Sequence, residues 1–158
     1  MRICLLSIIA LSFVATAAVA DPAAEKSIGI GLGVGVATGP NLQVATTRDT
    51  QLDLGFGYEL DSRLRLQADY AWRFVDLSSS RAVALPIYLG VGGFVTDYRA
   101  GYADGGLRMP LGLQADFARA PIQLFGEVAP ELVLVQSYDR MDVPVLGLSG
   151  LAGVRAAF

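Results

Sequence analysis

From Leu64 to Phe74 the chain alternates without interruption. Leu64, Leu66, Ala68, Tyr70, Trp72 and Phe74 fall on one parity, and Arg65, Gln67, Asp69, Ala71 and Arg73 on the other. Side chains two residues apart share one face of a strand, whereas at helical spacing these charges would be spread round the whole cylinder. The segment therefore reads as a strand between two different environments. The same pattern closes the sequence, with Leu146, Leu148, Gly150, Ala152, Val154, Ala156 and Phe158 opposed to Gly147, Ser149, Leu151, Gly153, Arg155 and Ala157.

Repeated along the chain, this period predicts eight strands. They run from about Ile28 to Ala37, Leu42 to Thr46, Gln51 to Tyr58, Leu64 to Phe74, Val83 to Phe94, Gly106 to Phe117, Ile122 to Val135, and to Phe158. Pro86, Pro110 and Pro130 fall inside this scheme and predict bulges or strand ends, because proline lacks the N–H a ladder needs.

The polar parity decides what lies on each side. Hydrophobic residues make up 53% of the chain, yet beyond the N-terminal segment there is no run of about 18 apolar residues to form a spanning helix. A soluble sheet would show water a face rich in Lys, Glu, Thr and Ser. Here the only lysine, Lys26, precedes the first strand, and the polar parity is Gly and Ala interrupted by a few long charged side chains. That composition suits a narrow interior filled by side chains. The expected fold is all-β: an eight-stranded antiparallel up-and-down transmembrane β-barrel over residues 28–158, with 21–27 as a short lead-in. Inside it Arg65, Arg73, Arg108 and Arg155 are expected to meet Asp53, Asp69, Asp116, Glu127 and Glu131, since buried charges require partners and Arg pairs well with carboxylates.

Residues 1–20 have the composition of a secretory signal. Arg2 supplies the positive end, Ile3 to Val14 the apolar run, and Ala18-Val19-Ala20 the small-residue site before Asp21. Cys4, the only cysteine, lies within this segment, so disulfides and Cys-ligated metals are excluded from what remains. The remaining 138 residues suffice for one domain and carry 11 basic against 15 acidic groups, with nothing to suggest a nucleic-acid partner.

Catalytic chemistry is absent on the same inspection. There is no histidine, which removes the commonest general base and the usual activation of a Ser or Cys nucleophile. Ser149 in Gly147-Leu148-Ser149-Gly150-Leu151 has Leu151 where a nucleophile elbow needs glycine. The alternate glycines Gly29 to Gly35 do not satisfy a dinucleotide fingerprint. No catalytic residue, cofactor or metal site is expected. Asp97, Asp104, Asp139 and Asp142 are expected in outer loops, as solvated charge or as contacts to a lipopolysaccharide-bound cation.

Connection lengths orient the strands. If the first runs outward from the periplasm, the long connections Val95 to Gly105 and Gln136 to Pro144 are external, with Tyr98, Tyr102 and Tyr138 as contact residues. The inward-running strands then end in Phe74, Phe117 and Phe158, which with Trp72 make one side of an aromatic girdle, while Tyr58 belongs to the other.

Four segments carry a family resemblance: Asp69-Tyr70-Ala71-Trp72, Leu85 to Gly93, Arg108 to Leu113, and Phe125 to Pro130. In this order they resemble a family of small, uncharacterised bacterial outer-membrane β-barrels, and the architecture is similar to the eight-stranded domain of OmpA-like proteins. The last strand resembles an assembly signal, with Gly153 five residues before Phe158, although Leu151 and Ala156 depart from the usual pattern. The resemblance implies the bacterial outer membrane, contact with lipid and lipopolysaccharide, and passage through periplasmic chaperones and the barrel-assembly machinery. A non-enzymatic structural or surface-interaction role, with an unknown surface ligand, is the leading expectation. The alternatives are a soluble periplasmic barrel for lipids or small ligands, and a narrow outer-membrane pore.

Overall fold

A computed structural model describes residues 28–59, 63–79, 82–98, 102–117, 119–136 and 144–158. The expected signal segment, residues 1–20, and the lead-in 21–27 lie outside them.

The described residues form nine strands and no helix: β1 Ile28–Gly35, β2 Gly39–Ala45, β3 Thr50–Tyr58, β4 Leu64–Ser79, β5 Val83–Tyr98, β6 Tyr102–Arg108, β7 Leu111–Phe117, β8 Ile122–Gln136 and β9 Val145–Ala157. Each pairs antiparallel with its chain neighbours, apart from β6 and β7, which follow one another between β5 and β8. β1 pairs with both β2 and β9, so the sheet closes into a ring of eight strand positions. At the end of β1, Gly35 has φ 148°, a conformation open to glycine and strained for other residues.

The ring closes with an offset. Cross-strand partners lead from Gly31 through Asn41, Gly55, Gln67, Phe94, Gly106 and Val133 to Val145. Gly31 itself, however, pairs with Arg155, ten residues beyond Val145. Such a stagger over eight strands tilts them by about 40° to the ring axis.

The sixth expected strand is divided because Pro110 cannot donate to the ladder. Its carbonyl accepts from Gly90 N at 2.7 Å, and Met109 N donates to the Pro130 carbonyl at 3.1 Å, so two prolines meet at one seam. β4 does not stop at Phe74 but continues to Ser79. Phe74 is the extra residue of a bulge, since Arg73 pairs with Tyr88 and Val75 with Ile87.

The expected long connection from Val95 to Gly105 is mostly strand. β5 continues to Tyr98, β6 begins at Tyr102, and these two tyrosines are backbone partners. Asp97 and Asp104 therefore lie on strands rather than in a loop, and Asp104 is buried. Tyr138, Asp139 and Asp142 fall outside the described residues.

Candidate functional site

The alternation places polar groups inside and apolar groups outside. Among the described residues, buried polar and charged side chains outnumber buried apolar ones, while Leu32, Leu66, Leu107 and Leu148 are among many large apolar residues left exposed. Hydrogen bonds between strands that are not neighbours in the ring identify the interior. Gln43 on β2 donates to Gln114 on β7 at 3.2 Å, and Arg65 on β4 reaches Glu131 on β8.

Three clusters fill that interior, the first two sharing Glu131. Near the end where β9 begins, Arg65 pairs with Glu131 and with Glu59, lies 4.1 Å from the centre of the Phe94 ring and donates to Gln67. Ser149 Oγ also donates to Glu131, and Thr96 donates to Glu59.

At mid-height Arg108 bridges Asp69 at 3.2 Å and Glu127 at 2.8 Å, with Glu131 3.8 Å away. The Tyr88 hydroxyl donates to the other Glu127 oxygen at 2.8 Å. Tyr88 fits only because position 112 is glycine, where a Cβ would lie 2.1 Å from the phenol ring.

Towards the opposite end Arg155 pairs with Asp53 at 2.8 Å, donates to Gln123 and Asn41, and stacks on Phe125. Gln51 donates to Asp53, and Arg73 donates to Gln51. Asp116 accepts from Gln114 and Gln123 and lies 3.7 Å from Arg73, a pair open to solvent at the rim.

All nine charged residues singled out in the sequence thus lie on this interior face. The amide and phenol partners Gln43, Gln51, Gln114, Gln123, Asn41 and Tyr88 escaped sequence reasoning. Their parity marks them as inward-facing, but their partners are set by the closure of the ring. Gln51, Gln114 and Arg108 are 0%, 0% and 1% exposed, so the surrounding side chains close over them. Among the described residues, no group of acidic side chains is arranged to hold a metal ion.

The aromatic residues expected in the girdle occupy the outer face, whereas Tyr88, Phe94 and Phe125 lie inside. Trp72 is exposed and packs edge-on against Tyr70, with ring centres 5.0 Å apart. Phe74 and Phe158 are exposed, Phe117 half-buried. Phe158 exchanges both backbone hydrogen bonds with Ile28. When the ten-residue stagger is spread evenly over eight strands, Phe74, Phe117 and Phe158 come within about two residues of one level, although β4 continues past it. Gly153, five residues before Phe158, leaves room for the Phe125 ring, which a Cβ would approach to 2.7 Å.

Paired charges, hydrogen-bonded amides and packed rings give this interior the chemistry of a structural filling. Among the described residues, Arg65, Arg73, Arg108 and Arg155 are each committed to at least one carboxylate. No family model matches the chain, and no similar curated protein or solved structure was found.

Proposed function

We propose that the chain is a non-enzymatic integral β-barrel of the bacterial outer membrane, closed by its own side chains and acting as a structural or surface-interaction element. The observation that carries this reading is the inverted polarity of the ring, with paired charges inside and a continuous apolar face outside. Water would oppose exposing that face, and hydrocarbon favours it. Strands tilted by about 40° and closed without a free sheet edge also satisfy backbone groups that lipid cannot.

The level of Phe74, Phe117 and Phe158 marks one membrane interface, taken as the periplasmic one, so the connections at the other end face outward. Interior residues with no accessible surface, Gln51, Gln114 and Arg108 among them, support a closed lumen rather than a solute pore. Reconstitution in planar bilayers tests this: the closed reading expects a silent membrane, and reproducible single-channel steps contradict it. Protease added to intact cells should cut only in the connections that follow β1, β3, β5 and β8.

A further inference from the structure

The outer face is uneven, and its unevenness follows the register. One row of outward positions runs Val34, Ala152, Gly126, Leu113, Ile87, Val75 across six neighbouring strands. Its middle members are a methyl group and a glycine, with Gly150 beside them, so the surface sinks there into an apolar groove of about 730 Å³. A Cβ at Gly126 would meet nothing within 4 Å.

Five inter-strand steps make the row about 24 Å long. Because it lies perpendicular to strands tilted by about 40°, it descends through about 15 Å, half of the hydrocarbon layer and so the depth of one acyl chain.

The lower end of the groove is walled by Phe74, and Phe74 also walls a second, polar notch of about 200 Å³. Arg48, Asp49, Arg73 and Asp76 line that notch. Arg48, Asp49 and Asp76 are exposed, and among the described residues their charged groups enter no ion pair. Arg48 and Arg73 stand beside Asp49 and Asp76 at the level of the aromatic girdle, Arg73 also keeping its long 3.7 Å contact with Asp116, and together they complement a headgroup carrying both signs.

We infer that this is a phospholipid site, with one acyl chain in the oblique groove and a phosphoethanolamine headgroup in the notch. The phosphate faces Arg48 and Arg73, and the ammonium faces Asp49 and Asp76. A headgroup with phosphate alone would leave the two carboxylates repelling it. The inference rests on the membrane reading above and assigns the lipid to the leaflet at the Phe158 end.

Native mass spectrometry of the full chain in detergent, titrated with phosphatidylethanolamine or phosphatidylglycerol, tests it. One phosphatidylethanolamine should be retained in preference to phosphatidylglycerol. Gly126→Phe, whose Cβ meets nothing within 4 Å and whose ring projects into the groove, should lower retention at least tenfold. Arg48→Glu, on an exposed turn, should do the same, and Asp76→Ala should erase the preference between the two lipids. Equal retention by Gly126→Phe that still shows heat-modifiable migration, equal retention by Arg48→Glu, or a preference for phosphatidylglycerol would overturn the site. A chain that stays soluble without detergent would instead defeat the membrane reading, so the two failures can be told apart.

Discussion

The Arg155 guanidinium lies 3.8 Å above the centre of the Phe125 ring, inside the ring of strands, while its Nη2 meets Asp53 at 2.8 Å. One cation thus joins a π-face, a carboxylate and two amides. Removing it leaves Asp53 charged and buried, at a cost of about 3–5 kcal/mol. Arg155→Ala should therefore unfold at much lower urea than wild type in lipid vesicles. Arg155→Lys should fall between them, because an ammonium lacks the planar fork that stacks and pairs at once. Wild-type stability in Arg155→Ala would show that this cluster is unimportant to the fold.

Tyr88 and Gly112 form a second pair that can be tested against each other. A methyl group at position 112 would lie 2.1 Å from the Tyr88 ring, so Gly112→Ala must displace the phenol from Glu127. Gly112→Ala alone should cost about 1–3 kcal/mol. In a Tyr88→Ala background the same substitution should cost much less, and the difference is the coupling a double-mutant cycle reads. Additive effects would argue that the two side chains do not share this space.

On the outer face, Val91 is exposed and lies well above the aromatic girdle, in the middle of the proposed lipid-facing band. Val91→Arg should destabilise the barrel in vesicles by about 2–4 kcal/mol, as a charge on lipid-facing strand surface does near the midplane. Val91→Leu should be neutral. If both variants match wild type, position 91 faces water.

Phe158 links its backbone to Ile28 at the seam where β9 meets β1 and presents its ring outward. If it is also the assembly signal, Phe158→Ala should lower the amount of folded barrel in the outer membrane several-fold, scored by quantitative immunoblot of unheated samples. Wild-type levels of Phe158→Ala would remove that role.

The two faces were legible in the sequence because side-chain parity survives wherever a strand is regular. Arg65, Asp69, Arg108, Glu127 and Arg155 all occupy the inward face that their parity indicates. Parity held as far as Phe74 and broke after it, where a bulge puts Val75 outward as well. It failed at the β5–β6 hairpin, because polar residues such as Thr96 and Asp104 read as loop when their side chains in fact point inward. It could not supply partners either. Gln43 and Gln114 are 71 residues apart, and only the closure of the ring brings them together. The oblique groove lies further still from the sequence, since it needs the register of six strands at once.

The most direct test of the central claim is electrophoresis of the full chain recovered from bacterial cells, with and without heating, after fractionation. The inverted ring predicts recovery in the outer-membrane fraction, release only by detergent, and an unheated band that migrates apart from the boiled one. Recovery in the soluble periplasmic fraction without detergent would contradict it.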